Sequence, residues 1–319
     1  NGDIRNYGDI SGGMLTDAGD DYVHNTEDGR IFLTNDSIDL GYGYNYFLND
    51  GKIYADGANN VINMGYYGGG EGGYYYGVFA NNGNSIHMND GAADDTLTII
   101  GDFSGTGDVN VDVDGASLAS DTLYIYGNVL AGTANTINVD LISLPSAADI
   151  NAGETITIVE VSGSSAVTDF VLGDVNVAGG ALFSADYSLV YDGSEFALGF
   201  DITGLTTAGV LLTSASPAIQ NLWYGSLGTM YQRQGGERQF LKDSGAADVH
   251  GAAGAWTRIY GSDGSITPSA NRNNFGDAGS QDFSFGNDGI EFGVGYSFTE
   301  AWTAGLLGGL TKSTYRPDA

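Results

Sequence analysis

The sequence predicts an all-β chain: a right-handed parallel β-helix over residues 1–205, then a linker with one helix, then the first strands of a truncated β-barrel. Three observations predict it. Gly at 52 and Tyr at 20, against Pro at 4, favour many short strands with tight turns over helices. The phrases GRI at 29–31 and GKI at 51–53 lie 22 residues apart, close to one coil of a solenoid whose repeats stack their cores. From Ile290 to Leu310, large apolar residues alternate with small or polar ones at period two.

Residues 1–95 carry a loose repeat. GDIRNYGDISGG, EDGRIFLTNDSIDLG, NDGKIYADGANNVINMG and NNGNSIHMNDG each join an Asn/Asp/Gly turn to a short apolar strand. Asn and Gly supply left-handed corner conformations at low cost. The insert MGYYGGGEGGYYYGVF at 64–79 holds seven glycines and five tyrosines and breaks the repeat, so it is expected to be a surface loop. A tyrosine patch for a ligand is the functional alternative for it.

Residues 96–205 alternate more cleanly. Leu97 and Ile99, then Val109, Val111 and Val113, then Leu123 and Ile125, then Ile137, Val139 and Leu141 each share one face. Ile156 and Ile158, then Tyr187, Leu189 and Tyr191, then Phe196, Leu198 and Phe200 follow. SGTG, DGAS, AGTAN, NAGE, SGSS, AGG and DGSE punctuate them as turns.

Residues 206–253 form the linker. Within it, 216–234 reads as an amphipathic helix capped by Ser216-Pro217, with Ile219, Leu222, Trp223, Leu227 and Met230 on one stripe. Residues 254–319 read as three barrel strands. Ile290, Phe292, Val294, Tyr296, Phe298, Trp302 and Leu306 form the expected lipid face. Trp256, Arg258, Tyr260 and Glu291 fall on the expected lumen face, away from hydrocarbon. The polar run 262–282 suits a long outer loop and Thr299-Glu300 a short turn.

The net charge of −30, from 10 basic and 40 acidic side chains, excludes nucleic-acid binding through a basic surface. It equally disfavours docking on anionic headgroups. With no cysteine, stability must come from a long, regular core. NGDIRNYGDI lacks a basic start and an apolar run, so a signal or further sequence is expected before Asn1.

No serine sits in a G-x-S-x-G motif, and His24, His87 and His250 are scattered. No enzyme activity, metal site or cofactor is therefore expected. Calcium is the competing reading: the stretches around Asp21, Asn45, Asn60 and Asp95 partly match the nonapeptide calcium repeat of a secreted β-roll. Their separations of 24, 15 and 35 residues do not recur every nine or so, and Asn at two positions removes ligand charge. Corner turns explain the same residues.

The helix NLWYGSLGTMYQRQGGERQ followed by AWTRIYG resembles the translocator of bacterial autotransporters (type V secretion). TLTIIGDFSGTGDVNVDV, DTLYIYGNVLAGTANTINVDL, GETITIVEVSG and YSLVYDGSEFALG resemble, in order, the pertactin-like module that ends an autotransporter passenger. The resemblance implies passenger repeats over 1–95, a folding module over 96–205, a pore helix over 216–234 and the start of an outer-membrane barrel after 253. About a dozen strands close the family's barrel, so three imply an incomplete one. The implied partners are the outer membrane and its barrel-assembly machinery, with a host or cell-surface ligand for an adhesin-like passenger. The implied location is the outer membrane, with the passenger outside the cell.

Overall fold

The computed structural model describes residues 2–67, 75–83, 85–178, 183–206, 208–209, 212, 219–220, 253–266, 283–299 and 302–317. The described chain is all-β with parallel sheets, consistent with a β-helix-like class. It divides into two units, 1–203 and 204–319.

Beside one two-stranded hairpin, the described N-terminal unit has three large sheets, and the chain visits them in rotation. The first holds Asp3–Asn6, Tyr22–Asn25, Tyr46–Asn49, Val78–Asn81 and Asp102–Gly105. The second runs from Asp9–Ser11 through Arg30–Thr34, Lys52–Asp56, Ile86–His87, Asp108–Asp114 and Asn135–Ser143 to Phe170–Val177. The third runs from Met14–Leu15 through Ser37–Asp39, Asn60–Asn63, Thr96–Ile100 and Thr122–Tyr126 to Ile156–Val161. One strand in each sheet makes one coil. Strands of successive coils pair parallel, and the expected match of GRI with GKI is a true register: Ile31 stands beside Ile53. Glu195–Leu205 then pairs antiparallel with Ile156–Val161 and ends the parallel run.

Parallel in-register pairing places like residues over like. In the second sheet Ile10, Ile31, Ile53, Ile86, Val109 and Ile137 form one column. In the third, Ile38, Ile62, Ile99, Ile125 and Val161 form another. The first sheet contributes rings: Phe47, Phe79 and Phe103 stack at 5.2 and 5.8 Å between centroids, continuing to Phe170 and Phe196 at 5.8 and 4.9 Å. All five rings are buried. Of the apolar residues expected between 96 and 200, those from Leu97 to Ile158, with Phe196 and Leu198, are buried, while Tyr187, Leu189, Tyr191 and Phe200 pack on the core's margin.

A third column is polar. The Nδ2 of Asn6 donates to Oδ1 of Asn25, Asn25 to Asn49, Asn49 to Asn81 and Asn81 to Asn135, at 2.9, 2.7, 2.9 and 2.9 Å. All five side chains are buried. The coil between Asn81 and Asn135 places Gly105 opposite Asn81 with φ of 113°. A Cβ there would meet the Asn81 carbonyl at 2.1 Å, so only glycine leaves Asn135 free to reach across.

Two local expectations change. The insert 64–79 is not all loop: Met64, Val78 and Phe79 belong to the core, and Tyr66 and Tyr67 pair antiparallel with Tyr76 and Tyr75. The NAGE stretch, expected as a turn, begins as the end of a short helix, Ala147–Ala152, with a Ser146/Asp149 capping box and left-handed Gly153 after it.

Asn49→Ala removes one acceptor and one donor from the middle of the column, leaving Asn81 Oδ1 without its donor. We expect a loss of about 2–4 kcal/mol in urea unfolding, against about 1 kcal/mol or less for an exposed Asn→Ala change such as Asn59→Ala.

Candidate functional site

The C-terminal unit presents a three-stranded antiparallel sheet, Ala253–Ile266, Phe283–Thr299 and Trp302–Pro317. The register fixes its faces. Ala255 stands opposite Val294, Thr257 opposite Phe292 and Ile259 opposite Ile290. Val294 continues to Leu306 and Ile290 to Leu310. These residues form one exposed apolar face: Leu306 is 80% exposed, Ile259 82%, Trp302 74%, and Ile290, Phe292, Val294, Tyr296 and Phe298 are all exposed. Soluble surfaces rarely expose a continuous apolar face of this kind.

On the other face Trp256 stands opposite Gly293, Arg258 opposite Glu291 and Tyr260 opposite Gly289. The sheet thus brings together all four residues assigned to the lumen face. A Cβ on Gly293 would meet the Trp256 indole at 2.6 Å, so the ring lies flat over the glycine backbone. Tyr260 lies across Gly289 in the same way and its hydroxyl bonds with Thr311 Oγ1 on the third strand. The Arg258 guanidinium sits 5.9 Å from the Tyr260 ring centre. This face also carries Leu307, opposite Gly293, and Phe285, whose ring lies over Gly264. Thr299, expected in the turn, is instead a strand residue paired with Trp302, and 300–301 lie outside the described residues.

Of the expected pore helix, only Ile219 and Gln220 are described, and both are helical. Leu222, Trp223, Leu227 and Met230 lie outside the described residues, as do His250 and most of the expected outer loop.

The N-terminal unit pairs both of its histidines with polar side chains. His24 Nε2 lies 2.8 Å from Asp50 Oδ2, beside a shallow cavity of about 460 Å³ that Glu27 and Gly83 also line. His87 Nε2 lies 2.6 Å from Ser85 Oγ, and its ring stacks 4.9 Å from Tyr54, which stacks 4.8 Å from Phe32. Burial lowers the His87 pKa, favouring the neutral ring. The His24–Asp50 pair and the Tyr54–His87 stack follow from coil stacking, whereas Ser85 and His87 are two residues apart in the sequence.

The four residues of the calcium-like pattern are all buried corner caps. Asn45 Oδ1 accepts from Asp21 N at 2.8 Å, and Asn60 Oδ1 from Asp36 N at 3.3 Å. Asp21 Oδ1 accepts from Gly2 N and Asp95 Oδ1 from Gly57 N, both at 2.5 Å. Each therefore satisfies a backbone donor of a neighbouring coil. Asp121 does this twice, accepting from Asp95 N at 2.9 Å and Asp112 N at 2.7 Å. Burial pushes its carboxyl up to about 8, against the opposing pull of those two donors. Asp95 is pushed up to about 6 by burial, with the charges of Asp90, Asp56 and Asp94 adding to it. The carboxylates of Asp56, Asp90 and Asp95 converge at this corner.

Because the folded value of Asp121 lies above its unfolded one, folding favours the protonated acid. Its stabilising share is complete below about pH 4 and is lost as pH rises through about 8. Asp121→Asn cannot ionise, and its amide nitrogen cannot accept from the second donor. We expect the variant to be less stable at pH 5 by about 1–3 kcal/mol, with the gap closing by pH 9 in urea unfolding. A gap independent of pH would refute the assignment.

Compared with protein-family models and with curated proteins, the chain matches none.

Proposed function

We propose that the chain is a surface-display protein of the autotransporter kind. In this reading the N-terminal unit is a right-handed parallel β-helix carried as passenger, and the antiparallel sheet is part of an outer-membrane β-barrel. Residues 216–234 form the helix in its pore. The role is secretion and display, with no catalytic step in this segment.

The observation that carries the reading is the two-faced sheet. One face is apolar and exposed over 255–259, 290–298 and 302–310, and beyond them carries Asp288 opposite Lys312; the other holds an opposite-charge pair, rings laid over glycines and a hydroxyl bond. A lipid-facing surface has no need of polar partners, whereas a water-lined interior accommodates Arg258 and Glu291. The strands of 14, 17 and 16 residues exceed the roughly 9–11 that a tilted barrel strand needs to cross a bilayer.

The absence of cysteine makes the test direct. Leu306→Cys and Thr311→Cys are labelled in outer membranes that carry the protein. A water-soluble maleimide should react readily with Thr311→Cys and poorly with Leu306→Cys, and a lipophilic maleimide should reverse the order. Equal labelling by both reagents would sink the proposal. In the same membranes Leu306→Arg should cost roughly 2–4 kcal/mol if the position lies at mid-depth, read as a loss of assembled protein.

A further inference from the structure

The corner between the second and third sheets holds three carboxylates on two neighbouring coils. Asp56 closes the strand Lys52–Asp56, and Asp95 leads into Thr96–Ile100 of the next coil. Asp90 lies in the connection just before Asp95. One carboxylate oxygen from each lies within 4.8 Å of the other two. Asp56 and Asp90 are exposed, whereas Asp95 is only 2% exposed.

A second observation points to a ligand. Asp95 Oδ1 accepts from Gly57 N, but Oδ2 is buried and has no hydrogen-bond partner. A buried carboxylate oxygen without a donor is costly. Cationic side chains do not relieve it: among the described residues the ion pairs are Arg5 with Asp3, His24 with Asp50 and Arg30 with Asp9. Corner capping accounts for one oxygen of Asp95 and leaves the other, buried on a residue of this acidic cluster, without a donor.

We propose that Asp56, Asp90 and Asp95 bind one calcium ion that ties two adjacent coils together. The donors are all hard oxygens, which excludes a zinc preference. Calcium places its oxygens 2.3–2.6 Å away, so ligands across the ion stand roughly 5 Å apart, and the observed spread fits inside that sphere. Magnesium requires a tighter, near-ideal octahedron and gives up water reluctantly. The two exposed carboxylates leave room for water to complete a coordination of six to eight. An open, three-carboxylate site belongs in the weak class of extracellular modules, with Kd of about 0.1–1 mM. It differs from a calcium β-roll, whose sites recur every nine residues or so; here, among the described residues, one such cluster is made by stacking two coils. The inference does not depend on the membrane reading of the C-terminal sheet.

The test is thermal unfolding of the full chain in detergent, with calcium chloride or with a chelator. With calcium at about a hundred times its Kd, we expect the N-terminal unit to gain about 5–10 °C in Tm. Asp90→Asn alters an exposed ligand and should abolish the gain while leaving the Tm in chelator equal or higher, because a repelling charge is gone. Asp56→Asn should behave alike, and Asp28→Asn, an exposed acid elsewhere, should keep the full gain. Coincident melts of the wild type with and without calcium would overturn the proposal. So would an undiminished gain in Asp90→Asn, since binding would then lie elsewhere on this acidic chain.

Discussion

The N-terminal unit depends on satisfying the backbone at its corners. Strands paired side by side look after their own N–H and C=O groups, but each change of sheet breaks the ladder and buries donors where water cannot reach. Asn and Asp side chains of the neighbouring coil close that gap. The two residues do so at different cost. An amide carries both donor and acceptor, so Asn6, Asn25, Asn49, Asn81 and Asn135 satisfy one another as a neutral column. A carboxylate only accepts, so Asp95 and Asp121 must draw on backbone donors and confine negative charge indoors. Their raised pKa values and the crowding with Asp56 and Asp90 follow from that asymmetry.

How much of this is legible in the sequence depends on period. Alternation at period two identifies Leu97, Val111, Ile125 and Val139 as inward, because the inward face is the only dry one. The same rule divides Ile290, Phe292 and Val294 from Glu291 and Gly293. The 22-residue match of Ile31 to Ile53 is legible because no insertion separates those coils. The asparagine column is not, since its members lie 19, 24, 32 and 54 residues apart. Phe47, Phe79 and Phe103 share a column for the same unreadable reason, the hairpin of Tyr66–Tyr67 with Tyr75–Tyr76 lengthening one coil. Asp95 is legible as a fragment of a calcium-like pattern, and Asp56 stands four residues before another, Asn60. Their meeting is not legible, because it is a product of stacking.

The C-terminal sheet obeys a different economy. Its strands are long and keep one register up to a shift after Ser297, and small residues serve as seats for large ones: Trp256 on Gly293, Tyr260 on Gly289. Ring-over-glycine contacts shield backbone hydrogen bonds that a bare glycine strand would leave open, and they pin the register of a sheet otherwise rich in glycine. Removing either ring loosens the pairing without changing the apolar face. Placing a Cβ beneath a ring forces the ring off its seat.

The asparagine column has a sense. Every bond runs from the Nδ2 of the earlier residue to the Oδ1 of the later. Turning one amide over would set nitrogen against nitrogen on one side and oxygen against oxygen on the other, so no member can invert alone. The aligned dipoles polarise one another and give the unit an electrical head and tail. The sense chosen by one amide is therefore imposed on its neighbours, and the orientation set at one end of the column is the orientation found at the other.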